Sequence, residues 1–363
     1  CHYCDFHFST SLKYKDELLD AMHQEIELRA SYLEDKKVES IYFGGGTPSL
    51  LEAKEIDKLI GRVAKFFEIS SHAEITLEAN PDDLGKKKVQ DLRNTEINRF
   101  SIGVQSFYQE DLEWMNRAHN AEEARSSIMR VQDAGFENIT CDLIYGYPML
   151  TNSKWKYNMQ QLIDLGVPHI SSYSMTVEKR TALAHMINKG NTPALNEDQS
   201  AEQMISSINT FTSNGYEHYE ISNFAKPDQY ARHNSNYWKG KSYLGIGPSA
   251  HSFNGDSRSW NIANNALYIK GIIAKELPLE TEELSINDRF NEYVMISLRT
   301  KWGIDKNHVE NKFGSDYLTL LLKNIEQYID RNEVNISQEG IITLTPSGKL
   351  LADQIASELF HVE

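Results

Sequence analysis

Short apolar runs rich in β-branched and aromatic residues alternate with amphipathic segments along most of the chain. The runs predict strands at 38–43, 74–78, 99–104, 139–144, 169–174 and 216–221, and the amphipathic segments predict helices at 14–35, 54–67, 121–133 and 154–165. Strand, helix and strand at a spacing of ~30 residues is typical of a parallel sheet. Right-handed crossovers then give a doubly wound sheet or a barrel. No Gly-x-Gly-x-x-Gly follows a strand, which disfavours a dinucleotide-binding sheet.

The pattern changes from about residue 284 onward. It predicts helices at 287–298, 305–312 and 317–331, a hairpin at 333–344 and a closing helix at 346–360. Much earlier in the chain, a capping-box pattern in Ser49-Leu50-Leu51-Glu52 predicts a further helix that begins there. Three helices with a small hairpin indicate a winged-helix-like α+β domain over 281–363, which follows a first domain over 1–280. We favour packing over DNA binding for this domain, because its closing helix carries almost no basic residues for phosphate contacts.

Composition narrows the class of protein further. The 363 residues carry 37 Lys and Arg against 52 Asp and Glu, a formal charge of -15. This acidic balance argues against a general nucleic-acid partner and against docking on anionic lipid by charge alone. No apolar run approaches the ~20 residues of a transmembrane segment, and no signal peptide is visible. Only three cysteines occur, so a cytoplasmic location is expected.

Two of the three cysteines form Cys1-x-x-Cys4, a pattern shared by redox pairs, half zinc sites and iron–sulfur motifs. The third, Cys141, lies inside an apolar predicted strand. A cysteine four positions before Cys1 would complete Cys-x-x-x-Cys-x-x-Cys, whose three thiolates leave one iron of a [4Fe–4S] cluster open to a ligand. With Cys1 and Cys4 alone, we expect no intact cluster.

Other candidate groups stand where strands end. Gly44-Gly45-Gly46-Thr47 follows the first strand, and glycines let a ligand approach the backbone closely, although a tight turn is the preferred explanation for a triple glycine taken alone. Polar residues also close or interrupt later strands, and a nearby arginine suits a carboxylate ligand: Glu78, Gln105, Asp142 and Arg117. Singly, each is explained by a structural hydrogen bond or a solvated surface. Together they suggest a pocket at one face of a barrel.

The order of the motifs resembles radical SAM proteins, specifically the oxygen-independent coproporphyrinogen-oxidase-like family. The resemblance rests on Cys-His-Tyr-Cys-Asp-Phe, Phe-Gly-Gly-Gly-Thr-Pro-Ser, Glu-Ala-Asn-Pro, Ser-Ile-Gly-Val-Gln-Ser-Phe, Asp-Leu-Ile-Tyr-Gly-Tyr-Pro and Tyr-Glu-Ile-Ser-Asn-Phe-Ala, and it extends through the C-terminal region. It implies an α/β fold, a partial (β/α)6 barrel whose first strand precedes the cluster loop, before Cys1.

The resemblance also implies cofactors and their ligands. Cys1 and Cys4 match the second and third ligands of a [4Fe–4S] cluster. Gly45, Gly46 and Thr47 match the residues that hold the amino group of S-adenosylmethionine. Further contacts with that cofactor are matched by four residues: Glu78, Gln105, Arg117 and Asp142. In this chemistry a cluster electron cleaves the sulfonium to a 5′-deoxyadenosyl radical.

Two functions compete within the resemblance. Coproporphyrinogen dehydrogenases of porphyrin biosynthesis carry a fourth cysteine where this chain has Phe6. The segment from His233 to Trp238 is similar to the His-Asn-x-x-Tyr-Trp motif of HemW-type heme chaperones, which bind heme for delivery to acceptor proteins. We therefore expect a heme chaperone with His233 as a heme ligand, and an oxygen-independent coproporphyrinogen III oxidase as the alternative. His251, after a glycine-rich loop, is a weaker candidate ligand, and a regulatory DNA-binding module is the least favoured function.

Overall fold

The computed structural model describes residues 1–5, 9 and 11–362, so Phe6 lies outside the described residues. The described helices are α1 (Lys15–Leu28), α2 (Ala53–Val63), α3 (Lys86–Arg93), α4 (Gln109–Trp114), α5 (Ala121–Asp133), α6 (Asn152–Asp164), α7 (Ala182–Asn188), α8 (Glu197–Ser213), α9 (Arg232–Trp238), α10 (Asn265–Ile273), α11 (Ile286–Leu298), α12 (Lys306–Phe313), α13 (Ser315–Asp330), α14 (Pro346–Lys349) and α15 (Ala352–Glu358). The described strands are β1 (Lys37–Phe43), β2 (Glu68–Ala79), β3 (Arg99–Gln105), β4 (Asn138–Tyr145), β5 (His169–Ser174), β6 (Glu217–Glu220), β7 (Asn223–Ala225), β8 (His251–Phe253), β9 (Ser257–Asn261), β10 (Leu279–Glu283), β11 (Ile304–Asp305), β12 (Val334–Ile336) and β13 (Ile341–Leu344).

All six strands predicted from the apolar runs are present, and they lie in one seven-stranded sheet of order β1-β2-β3-β4-β5-β7-β6. Strands β1 to β5 pair in parallel and in chain order, and β7 adds to β5 in the antiparallel sense. A doubly wound sheet would reverse its strand order at a switch point. The unbroken order instead confirms the predicted radical SAM type of partial barrel.

The two faces of these strands differ in polarity because side chains alternate along a strand. Apolar residues such as Leu77, Phe100 and Ile170 are fully buried against the helices. The residues between them on the other face are small and polar, for example Thr76 and Ser171, and they too are buried. The inner face of the sheet is therefore a polar lining, and it leads to the strand ends where the candidate residues lie.

One predicted helix start was wrong. Ser49 does not cap a helix, because it lies inside a 3-10 turn over Pro48–Leu50 and its hydroxyl donates to Asp83 Oδ2 at 2.6 Å. Helix α2 begins four residues later with Glu52 as its N-cap, and Glu52 N donates to Glu55 Oε2 at 2.8 Å. The capping box is therefore formed by Glu52 and Glu55, and the turn before it shapes the loop after β1.

The chain divides into two compact units. The first comprises 1–30, 35–217 and 222–233, and the second comprises 31–34, 218–221 and 234–363. Residues 234–280 thus group with the second unit, whereas the predicted domains divide the chain at 281. That domain boundary stays a prediction. Within the described residues, no helix is both long enough and apolar enough to cross a membrane.

The second unit contains the predicted winged-helix-like arrangement. Helices α11, α12 and α13 precede the β12–β13 hairpin, and β11 joins it in a three-stranded sheet of order β11-β13-β12. Phe290, Leu321, Ile325 and Ile355 lie in its buried core. The predicted continuous closing helix was wrong, because the backbone leaves helical geometry at Leu351 (φ -113, ψ 18) and splits the segment into α14 and α15.

Candidate functional site

The loop after β1 and the end of β2 meet through Glu78. One carboxylate oxygen accepts a hydrogen bond from Tyr42 Oη at 2.7 Å, and the other accepts one from Gly45 N at 3.1 Å. Gly45 and Gly46 both adopt positive φ, 74° and 63°, and both are exposed. Glycine alone adopts that backbone without strain, so the loop offers bare backbone beside a carboxylate. Thr47 follows them, half-buried, with φ -142°.

Arg117 lies beside the ends of β2 and β3. Its Nη2 atom donates to Asn80 Oδ1 at 2.8 Å and to the carbonyl of Gly103 at 3.0 Å. A Cβ at Gly103 would lie 3.0 Å from Gln105 Nε2 and 3.1 Å from Arg117 Nη2, so both side chains pass closely over this glycine. The structure therefore brings Gln105 and Arg117 together.

Two buried polar atoms at this position, Gln105 Oε1 and Arg117 Nε, have no hydrogen-bond partner among the described residues. Gln105 also holds a positive φ of 66°. Left-handed backbone at a residue other than glycine is strained, and such strain concentrates at binding sites. Unsatisfied buried polar atoms are rare in folded proteins. Both features are those of a site built to receive a polar ligand.

Asp142 lies on the polar face of β4. Burial is the main cause that raises the pKa of its carboxyl from 3.8 to about 7, and the charge of Glu78 adds to it. A hydrogen bond with Ser171 and the charge of Arg117 act in the opposite direction. Since Glu78 and Arg117 both influence the pKa of Asp142, these three side chains, which come from the segments of β2, β3 and β4, share one polar environment.

The cysteine segment lies at the same place. Arg117 Nη1 donates to Cys1 Sγ at 3.2 Å. Burial raises the pKa of Tyr3 to about 12, and the groups that influence it electrostatically include Arg117, Cys4 and Asp142. Among the described residues, no group of three or more His, Cys, Asp and Glu side chains could hold a metal ion. Cys1 and Cys4 are thus two thiols placed beside the polar side chains at the strand ends.

The segment is held there by backbone contacts of the residue between the cysteines. His2 N donates to the carbonyl of Met115 at 3.0 Å, and His2 Nδ1 bonds to the carbonyl of Trp114 at 2.8 Å. Leu183 N donates to the carbonyl of His2 at 2.8 Å. These bonds connect the cysteine segment to the end of α4 and the start of α7.

His233 is placed differently from the residues above. It lies at the start of α9, and its imidazole stacks on Tyr42 with ring centroids 4.7 Å apart and an interplanar angle of 18°. Its Nδ1 atom bonds to Ser40 Oγ at 3.0 Å. The backbone N–H of His233 and of Arg232 each donate to the Glu74 carboxylate at 2.9 Å. Burial lowers the pKa of His233 to about 4, so the ring is neutral at pH 7.

His251 lies in the second unit. It is exposed at the start of β8, and its ring centroid is 6.2 Å from that of Trp260. Both line a cavity of about 490 Å³ together with apolar residues such as Leu277 and Pro278. His251 is more exposed than His233, but it belongs to no group of three or more metal-ligating side chains among the described residues.

Sequence reasoning missed Tyr42, Asn80 and Tyr3. The sequence carried a partial signal for two of them: Asn80 lies in the Glu-Ala-Asn-Pro motif, and Tyr3 lies between the two cysteines. Tyr42 stands two residues before Gly44, and alternation along a strand places residues at that spacing on one face. The hydrogen bond from Tyr42 to Glu78 has no signal in the sequence, because it depends on the register of β1 and β2.

Comparison with protein families and known proteins agrees with this geometry. Residues 1–162 match the Radical SAM superfamily, and residues 284–351 match the HemN C-terminal domain. The chain is 32% identical to the heme chaperone HemW of Bacillus subtilis over 98% of this chain and 94% of that protein. It is 30% identical to the heme chaperone HemW of Haemophilus influenzae over 100% of this chain and 95% of that protein.

Among solved structures, the coproporphyrinogen III oxidase HemN of Escherichia coli matches with a TM-score of 0.85 at 24% identity, over 99% of this chain and 87% of that one. This likeness concerns the fold, and it confirms the radical SAM barrel with an added C-terminal domain. Sequence identity at or above 30% along nearly the whole length of two curated proteins is stronger evidence, because it shows family membership as well as a shared fold. The chain therefore belongs to the HemW family of radical SAM proteins.

Proposed function

We propose that this protein is a heme chaperone, which binds heme and transfers it to an acceptor protein in the cytoplasm. The observation that carries the proposal is His233, whose motif is similar to the heme motif and whose imidazole is held neutral at the start of α9. Neutral imidazole is the form that ligates heme iron. The bond between Nδ1 and Ser40 helps to fix the orientation of the ring.

The polar side chains at the strand ends suit S-adenosylmethionine. Its amino group would be held by the Gly45–Gly46 backbone, Thr47 and the Glu78 carboxylate. Its carboxylate would be held by the Arg117 guanidinium, whose Nε has no partner within the part of the chain that the structure describes. Gln105 and Asp142 supply an amide and a carboxyl for the nucleoside. Cys1 and Cys4 would hold part of a cluster, which would supply the electron for cleavage of the sulfonium. The protein side chains bind, orient and exclude water.

The alternative function is oxygen-independent oxidation of coproporphyrinogen III. The same cavity supports it, since both functions share the cluster and S-adenosylmethionine. Two features of the sequence favour the chaperone: Phe6 stands where the oxidases carry a fourth cysteine, and His233 opens the heme motif. The net charge of -15 continues to argue against nucleic acid as a partner.

A paired assay tests the proposal. Full-length protein, reconstituted anaerobically with iron and sulfide, is titrated with hemin and separately incubated with coproporphyrinogen III, S-adenosylmethionine and a reductant. We expect stoichiometric heme binding, seen as a shifted Soret band, and no decarboxylated porphyrinogen. Turnover of coproporphyrinogen III without stable heme binding would replace the chaperone with the oxidase.

A further inference from the structure

Tyr42 stands between the two parts of the proposed site. Its hydroxyl donates to Glu78 Oε1 at 2.7 Å, and its ring stacks on His233 at 4.7 Å. Burial and the charge of Glu78 raise the pKa of Tyr42 above its usual range, so the phenol keeps the proton that it donates. The second carboxylate oxygen of Glu78 accepts the Gly45 N–H at 3.1 Å. Tyr42 and Gly45 together therefore fix both oxygens of the carboxylate.

The position of the Tyr42 ring is itself determined by its neighbours. A Cβ at Gly44 would lie 2.5 Å from Tyr42 Cε1 and 3.0 Å from Glu78 Cδ, so the missing side chain at Gly44 makes room for both groups. On the other side lies the imidazole of His233, which is held by Ser40 at 3.0 Å. The ring of Tyr42 is thus confined between a glycine and a fixed imidazole.

We propose that Tyr42 is a positioning residue for S-adenosylmethionine binding, and that His233 acts on the same cavity from a distance by holding the Tyr42 ring against Glu78. The inference rests on the proposed contact between Glu78 and S-adenosylmethionine. It adds that the heme-motif histidine and the cofactor cavity are coupled through one hydroxyl. By reciprocity, a ligand that draws His233 away from Tyr42 weakens the binding of S-adenosylmethionine.

A double-mutant cycle tests the coupling. The dissociation constant of S-adenosylmethionine is measured by equilibrium dialysis on full-length, cluster-loaded protein carrying Tyr42→Phe, His233→Ala or both. We expect Tyr42→Phe to weaken binding about tenfold, the range of one hydrogen bond to a charged group. His233→Ala alone weakens binding, but has no further effect in the Tyr42→Phe background.

Two controls separate positioning from general loss of structure. Tyr216→Phe removes another buried hydroxyl, which donates to the carbonyl of Val167 at 2.6 Å and lies outside the cavity, and it should leave the dissociation constant unchanged. His233→Phe keeps a flat ring for stacking but has no metal-ligating nitrogen. The His233→Phe variant should retain its affinity for S-adenosylmethionine but lose its affinity for heme.

The possible failures are distinct. Unchanged affinity in Tyr42→Phe, or additive effects of the two substitutions, would overturn the coupling. Affinity lost equally in His233→Ala and His233→Phe would show that stacking on Tyr42 is not the cause. If the unsubstituted protein binds no S-adenosylmethionine, the proposed cofactor cavity itself is wrong.

Discussion

Arg117 Nη1 donates a hydrogen bond to Cys1 Sγ at 3.2 Å. The same guanidinium contacts Asn80 and Gly103 through Nη2, so one side chain joins the cysteine segment to the ends of β2 and β3. Hydrogen bonds to cluster sulfurs help to set reduction potentials, and a guanidinium is also a carboxylate partner. Arg117 is therefore placed to act on both the cluster and S-adenosylmethionine.

Substitution Arg117→Lys keeps the charge but removes the planar fork. We expect affinity for S-adenosylmethionine to fall by about tenfold or more, because a bidentate site does not accept lysine equivalently. The midpoint potential of the cluster should also move to lower values, since the donated N–H stabilises the reduced cluster. Equilibrium dialysis and potentiometric EPR measure the two effects. Exposed Arg125→Lys is the control, and equal behaviour of both variants would contradict the role of Arg117.

Glu74 anchors the heme-motif helix from β2. Its carboxylate accepts both N–H groups at the start of α9 and lies 3.7 Å from Arg99, and both side chains of this ion pair are buried. Glu74→Ala would leave the Arg99 charge buried without its partner, and we expect a loss of about 3–5 kcal/mol in the free energy of unfolding. Urea denaturation measures it. Exposed Glu68→Ala on the same strand should change stability by less than about 0.5 kcal/mol. Similar losses in the two variants would refute this function of Glu74.

The raised pKa of Asp142 predicts that the free energy of unfolding depends on pH. Burial raises its pKa to about 7 in the folded protein, against 3.8 for the ordinary group. The folded state therefore holds the proton over a range in which the unfolded chain has lost it, and this contribution to stability declines as pH rises from about 4 to about 7. Asp142→Asn mimics the protonated carboxyl and should remove that decline. Exposed Asp133→Asn is the control.

The measurement is the difference in free energy of unfolding between wild type and Asp142→Asn, taken by urea titration at several pH values. The difference should grow in favour of the variant as pH rises through this window. A difference that stays constant with pH would show that the Asp142 carboxyl is not protonated in the folded protein.

The sheet could be predicted from the sequence because its strands are short, apolar and β-branched. The strand at 169–174 was predicted with the bounds observed, whereas β2 begins earlier than predicted, at Glu68, and ends one residue later, at Ala79. Helix boundaries were less certain, since they depend on caps. The predicted helix start at Ser49 failed because its hydroxyl bonds to Asp83, a residue distant in sequence.

The residues of the candidate site could be predicted from the sequence for a similar reason. Glu78 and Gln105 end strands, and parallel strands bring their ends to one edge. The position of His233 could not be predicted from the sequence, because its stacking on Tyr42 joins residues far apart in the chain. In the structure, one tyrosine, Tyr42, lies between His233 and Glu78. The assignment of His233 as a heme ligand stays a prediction.

The most direct test of the chaperone function is a hemin titration of full-length protein, followed through the Soret band, with wild type, His233→Ala and His251→Ala compared in cluster-loaded and cluster-free form. We predict that wild type and His251→Ala bind heme alike in both forms, and that His233→Ala binds more weakly or with an altered spectrum. Unchanged affinity and an unchanged spectrum in His233→Ala would contradict the heme-ligand assignment and favour the porphyrinogen oxidase.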